Sequence, residues 1–344
     1  MFVDGHLDLA YNALQERDQT VPLDGLRALE ARTAEEAMVT LPELAGAGIG
    51  VVFATLFVMP RHHAGADAHP GLPLYETAAE AHAAALRQLE LYENWEERGF
   101  VRIIHSAADL EAHTRSFAAD PEQPVGLVLL MESADPLRTP DEVSWWYGRG
   151  VRLLGPAWKR TRYAGGTGEP GPLSEAGHEL LAAMAETGLA LDVSHLAEES
   201  FWDALEVWDG PLLASHSNAR AFVDTDRHLS DAMISAIGER DGMIGLVLAN
   251  SFLKAGVTRG DPKEAVSLKD VRRQAEHVAA LIGWARLGIG TDFDGGFGRQ
   301  EVPAGLDRAA DFRKLGQVVP EQWRTGFLGG NWLAFLKKVL PAGD

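Results

Sequence analysis

Cysteine is absent from the 344 residues. Disulfides and thiolate metal ligands are thereby excluded. Any metal must be held by His, Asp and Glu, a donor set suited to Zn, Mn, Co or Fe. No apolar run reaches the ~20 residues that a membrane-spanning helix requires. The opening MFVDGHLDLA has neither a basic leader nor an apolar stretch behind it, so no signal peptide is expected and the cytoplasm is the expected compartment. Basic residues are scarce: 31 Lys and Arg stand against 50 Asp and Glu, a formal charge of −19. A field of that sign repels nucleic acid and anionic lipid heads, so neither is an expected partner. It is compatible with a small zwitterionic substrate. Also missing is the glycine-rich phosphate fingerprint of a dinucleotide-binding fold after the first apolar run.

What is present describes a folded globular chain, 46% hydrophobic and 24% charged. Eight apolar runs read as core strands: 2–7, 48–58, 125–132, 151–158, 189–195, 211–216, 242–249 and 286–293. They are β-branched and leucine-rich with little polar alternation, as strands covered on both faces should be. Helical patterns lie near 34–47, 75–98, 141–149, 174–187, 198–208, 230–240 and 268–284. Eight strands, most followed by a helix, predict an α/β fold of the (β/α)8 TIM-barrel type, with 1–344 as a single domain. An open doubly wound sheet is the alternative. Residues 59–124 form an insertion between strands two and three, over the mouth or flank. The tail from 305 onward is helical, with Asn331 near the start of a capped last helix. The stretch 165–173, rich in Gly and Pro, predicts an exposed loop.

Chemistry collects at the C-terminal ends of these strands, where such barrels place their sites. His6 and Asp8 are two apart, so on a strand they share a face and can grip one ion. A histidine satisfied by a neighbouring carboxylate explains that motif equally well. Glu132 closes an apolar run with no Lys or Arg within five residues, so burial there requires a cationic or metal partner, a helix-capping or loop glutamate being the alternative. His195 and His216 end adjacent strands joined by a helix. Singly each reads as a core histidine; together they read as ligands, with Asp192, Ser194, Ser215 and Ser217 placed to hydrogen-bond them. Asp292 ends the eighth run in a glycine-rich setting, suited to moving a proton. Asp294 shares its parity and is a second candidate. Arg227 suits a substrate carboxylate, or else is a surface arginine paired with Asp224, Asp226 or Asp231. The set suffices for two metals sharing Glu132, at the ~3.5–4 Å of two-metal hydrolases, which activate a bridging water and polarise a carbonyl. The loop histidines His62, His63 and His69 read as solvated, with a substrate-facing role as the alternative.

In family order, DGHLD (4–8), Glu132, GVR (150–152), LDVSH (191–195), SHSNAR (215–220), Arg227, GIGTDFDG (288–295) and GGN (329–331) resemble the membrane dipeptidases, zinc peptidases related to the amidohydrolase barrels. The resemblance covers nearly the whole chain. It implies two zinc ions: His6 and Asp8 on one, His195 and His216 on the other, Glu132 bridging. It implies Asp292 as the proton-transfer residue, Arg227 as the clamp for a dipeptide carboxylate, and hydrolysis of dipeptides, L-D dipeptides among them. A homodimer is open. Three departures stand out. Trp158 or Lys159 stands where members carry a fourth-strand histidine, Ser133-Ala134 replaces Gly-Gly after the glutamate, and His228 replaces asparagine after the arginine. Trp158 therefore counts among the substrate-facing residues, and another amide or a lactone is the alternative substrate.

Overall fold

The computed structural model describes residues 1–30, 36–65, 68–120 and 123–343. Eight parallel strands follow one another in chain order: β1 (Phe2–Leu7), β2 (Ile49–Leu56), β3 (Val125–Met131), β4 (Val151–Leu154), β5 (Ala190–Asp192), β6 (Leu212–Ala214), β7 (Met243–Leu246) and β8 (Leu287–Ile289). This is the expected nearly closed barrel. Each apolar run contributes its strand, but several strands stop two or three residues before the run does.

Covering helices form where their caps and periodicity dictate. Glu175–Thr187, Asp231–Glu239 and Leu268–Ile282 start on Ser174, Ser230 and Ser267, whose hydroxyls accept early backbone N–H groups. Leu268–Ile282 buries Val271, Ala275, Val278 and Ile282, one face at helical spacing. The helix expected near 34–47 is confined to Leu41–Ala47, capped by Thr40. Residues 34 and 35 of that expectation lie outside the described residues.

The insertion holds the long helix Ala78–Glu97 and the helix Ala107–Ala119. It is not wholly peripheral: Val101–Ile103 pairs in parallel with the start of β3 and so extends the main sheet. Two further expectations need correction. Asn331 does not cap the last helix, Asn331–Val339; its amide donates to the Trp284 and Leu287 carbonyls and ties that helix to the start of β8. The stretch 165–173 is only partly exposed, because Gly166 bridges to Leu196 and Gly171 packs against Arg160. Among the described residues no helix is long and apolar enough to cross a membrane.

Inward side chains near the strand starts, among them Val3, Val51, Val128, Leu153 and Met243, pack with Trp332, Phe335 and Leu336 of the last helix. The barrel interior is therefore a filled core, and the cavity next to the strand-end histidines lies beyond the strand ends. Two close approaches shape that end. A Cβ at Gly245 or Gly290 would lie 2.0 Å from the Ser215 carbonyl oxygen, so only glycine lets β7 and β8 come up against the end of β6.

The seam between β1 and β8 carries no regular ladder. Asp292 N–H donates to the His6 carbonyl at 3.2 Å, and the buried Asp4 carboxylate does the rest. Asp4 accepts the Thr291 N–H at 2.8 Å, the Thr291 hydroxyl at 2.6 Å and the His6 N–H at 3.3 Å. Removing it would leave those buried donors unpaired. Asp4→Ala is expected to cost about 2–4 kcal/mol of unfolding free energy, measured by chemical denaturation, and Asp4→Asn less because one acceptor oxygen survives.

Candidate metal centre and pocket

His6, Asp8, Glu132, His195, His216 and Asp292 all reach one place. Glu132, one residue beyond β3, is buried and central. Its Oε1 lies 3.4 Å from His195 Nε2 and 3.6 Å from His216 Nε2, and its Oε2 lies 3.6 Å from His6 Nε2. His6 Nε2 is also 3.9 Å from Asp8 Oδ1 and 4.0 Å from Asp292 Oδ1. His195 and His216 bring their Nε2 atoms to 3.0 Å, and the His6 and His216 rings stack at 3.5 Å. Asp294 is not among them. Its carboxylate turns away to accept the Met38 and Val39 N–H groups at 2.9 Å, anchoring the segment ahead of Leu41.

The backbone explains both outcomes. His195, Asp292 and Asp294 have φ of +64°, +57° and +65°. They lie beyond the strand ends, in the left-handed region that Asp and His tolerate better than branched residues. A left-handed residue breaks the alternation of a strand, so parity cannot place Asp294. The same turn folds Asp292 and His195 back over the mouth.

Side chains beneath the cluster fix the imidazoles. Ser215 Oγ lies 3.2 Å from His6 Nδ1 and 2.8 Å from His216 Nδ1, with Ser194 Oγ 3.4 Å further on. If both rings carry their proton on Nδ1, the hydroxyl accepts twice and donates to Ser194, and both Nε2 lone pairs face Glu132. Asp192 accepts the Ser194 and Ser215 N–H groups at 3.0 Å. Thr167 Oγ1 is 3.0 Å from His195 Nδ1, a partner the reading of its loop as exposed overlooked. Thr55 donates a short hydrogen bond to Asp8 Oδ1. As the one polar side chain in the run IGVVFATL, Thr55 was visible in the sequence; Thr167, one of many loop hydroxyls, was not.

Three carboxylates share this buried space. Burial and the neighbouring Glu132 charge raise Asp8 to about 6, and burial first of all holds Asp292 well above the usual carboxylate range. Burial alone would lower His6, yet Glu132, Asp8 and Asp292 raise it to about 10. His195 and His216 are driven well below their ordinary value, by burial and then by the charges of Arg227 and His6. The field that draws a proton onto His6 would equally be satisfied by a divalent cation. His6 Nε2 and Glu132 Oε2 are also buried without a hydrogen-bond partner, as atoms reserved for an ion would be. Two overlapping groups, His6–Glu132–His216 and His6–Asp8–Asp292, have donor atoms close enough to hold one. The residues present fit a metal.

A cavity of about 300 Å³ opens above the cluster. Its wall is aromatic, with Tyr11, Phe57, Trp158, Phe252 and Phe297, and it carries two cations, Arg227 and Lys159. Trp158 meets Phe57 edge-on at 5.1 Å and stands 6.2 Å from the His195 ring. Arg227 is buried, not a surface residue: it donates to the His216 carbonyl at 2.6 Å and to Ser217 Oγ at 3.3 Å, and lies over Phe252 at 5.3 Å. His228 supports that ring, with Nε2 3.1 Å from the Phe252 carbonyl. At the rim His63 is partly buried and lies 3.2 Å from Glu169, while His62 is exposed as expected.

Known proteins resemble this chain in sequence and fold. The family model described as membrane dipeptidase, peptidase family M19, matches residues 1–340. An uncharacterized protein of the pqqA 5′ region in Klebsiella pneumoniae is 30% identical over 258 residues, 70% of this chain and 90% of its own length. A solved structure described as dipeptidase AC, a metallopeptidase of family M19, superposes with a TM-score of 0.79 at 26% identity, covering 99% of both chains. A metallopeptidase from Rhodobacter sphaeroides, liganded with a phosphinate mimic of L-Ala-D-Ala, gives 0.78 at 25% identity over 98% of this chain and 99% of its own. The chain belongs to the membrane dipeptidase family, peptidase family M19, and is a metallodipeptidase, a hydrolase.

Proposed function

We propose that the cluster holds two divalent cations, zinc foremost, and serves to cleave the peptide bond of dipeptides. His6 and Asp8 would hold one ion, His195 and His216 the other, with Glu132 between them. The observation that carries this reading is the unpartnered, buried pair His6 Nε2 and Glu132 Oε2, inside a ring of oxygen and imidazole donors. Bound there, such ions would lower the pKa of a water and polarise a substrate carbonyl.

The chain's own groups do the remainder. Asp292, whose carboxyl holds its proton unusually firmly, accepts the proton of the attacking water and returns it to the departing amine. Arg227 takes the C-terminal carboxylate, its guanidinium held rigidly by His216 and Ser217 with Nε left unpartnered. The aromatic wall excludes bulk water and, with Trp158, bounds the site. At about 300 Å³ the space suits a dipeptide better than a longer chain. The L-Ala-D-Ala mimic in the Rhodobacter relative supports including a D-residue at the C-terminal position. The alternative, another amide or a lactone, draws on Trp158 in the wall. A panel of L-L and L-D dipeptides separates the two, since a metal-loaded enzyme that turns over none of them favours the alternative.

Elemental analysis after reconstitution is expected to find about two ions per chain, and chelation to abolish hydrolysis. Asp292→Asn should retain the metal yet lose about 10²–10⁴ in kcat. A reconstituted protein that binds no ion would end the proposal, as would an Asp292→Asn variant with unchanged kcat.

Thr167→Val tests the support of His195. Losing the partner of a ligating imidazole typically costs about 10–100-fold in metal affinity, which chelator competition reads directly.

His228 sets a pH dependence. Burial, then the Arg227 charge, lowers it from 6.5 to about 4. The folded state thus binds fewer protons than the unfolded state between those values. The stability it contributes is full above pH 6.5 and is lost as pH falls toward 4, on the order of 3 kcal/mol. Urea unfolding at pH 7 and pH 4.5 should show a smaller difference in His228→Gln than in the wild type.

A further inference from the structure

Resting on the reading of the pocket as a dipeptide site, we propose that Lys159 selects substrates bearing a second anionic group, beyond the carboxylate taken by Arg227. The pocket's carboxylates are Asp8, Glu132 and Asp292, and all three belong to the buried cluster. Away from the cluster the wall is apolar except for Thr167, Tyr11 and two cations. Arg227 is deep and already bound to protein groups; Lys159 is only partly buried and lines the same space.

Among the described residues the Lys159 ammonium has no hydrogen-bond or ion-pair partner. Nζ lies 5.5 Å from the Trp158 ring and close above Gly168, where a Cβ would come within 3.1 Å of it. Among the described residues no carboxylate comes within the 4.0 Å of an ion pair and no acceptor within hydrogen-bond reach. Acidic groups nearby are engaged elsewhere. Glu169 accepts the Arg160 N–H at 3.0 Å and faces His63, and Asp226 accepts the Gly168 N–H at 2.7 Å. In a chain with 50 acidic against 31 basic residues, surface lysines find carboxylates easily; this one is held away from them, against an indole. An ammonium partly stripped of water and without a counter-ion favours any ligand that brings one. It also disfavours a cationic side chain in the same space. The fitting substrates are therefore dipeptides with an Asp-like or Glu-like side chain, on either the acyl or the leaving residue.

The test uses the metal-loaded full-length protein and the peptides Ala-Ala, Glu-Ala, Ala-Glu, Lys-Ala and Ala-Lys, with the second residue in both configurations. At least one glutamate peptide is expected to exceed Ala-Ala roughly tenfold in kcat/KM, mostly through KM, the size of one charge-assisted contact. Which of the two gains identifies the side that Lys159 reads. Lys159→Met should bring the acidic-to-neutral ratio close to one, Lys159→Arg should preserve it, and Lys159→Glu should turn the preference toward the lysine peptides. A merely structural role would not reverse with charge. Hydrolysis without charge discrimination in the wild type, or a preference that persists in Lys159→Met, overturns this inference alone. Failure to hydrolyse any peptide overturns the dipeptidase reading and this inference with it.

Discussion

A single buried carboxylate sets the terms for this structure. Glu132 stands among three imidazoles that come from β1 and from the turns after β5 and β6, and each of its oxygens faces a different side of the cluster. Burying charge at such a point costs several kcal/mol per ion unless partners compensate. Much of the surrounding architecture supplies that compensation. Ser215 spans two imidazoles, Asp192 holds the backbone of β6, and Asp4 closes the seam that carries His6. The left-handed residues His195 and Asp292 add a further cost of about 1–3 kcal/mol each. Strain of this kind persists only where the scaffold over-determines the backbone, and here the glycine contacts of β7 and β8 with Ser215 do so.

Most of the fold was legible in the sequence because parallel strands covered on both faces are apolar throughout, and eight such runs leave few architectures. The site was legible for a related reason. At a strand end a polar side chain following an apolar run has nowhere to go but the mouth, which is why His6, Glu132, His195, His216 and Asp292 all converge. Legibility failed where geometry departs from the strand. Asp294 has the parity of Asp292, but two left-handed residues within three positions cancel parity altogether. Thr167 sits in a stretch whose glycines and prolines signal a turn, and a turn pattern says nothing of what it folds back upon. Val101–Ile103 is three residues long, too short for alternation to reveal that it pairs with β3.

The cluster and the wall above it obey different constraints. Each cluster residue answers to several others, so replacing Glu132 disturbs three imidazoles and replacing Ser215 disturbs two. Trp158 and Lys159 answer to looser contacts: Trp158 to the rings of Phe57, His63 and His195 and to Lys159 itself, and Lys159, among the described residues, to no ion-pair partner. Change is therefore cheap in the wall and expensive in the cluster. The sequence departs from the dipeptidase pattern mostly in or behind the wall, with Ser133 and Ala134, which directly follow Glu132, as the exception. Its departures fall at Trp158 and Lys159, at Ser133 and Ala134, and at His228 behind Phe252, while the residues converging on Glu132 keep to the pattern. On the proposed reading the cluster determines which bond can be attacked and the wall determines which molecule brings it there, so the chemistry would follow from the family and the substrate from the wall.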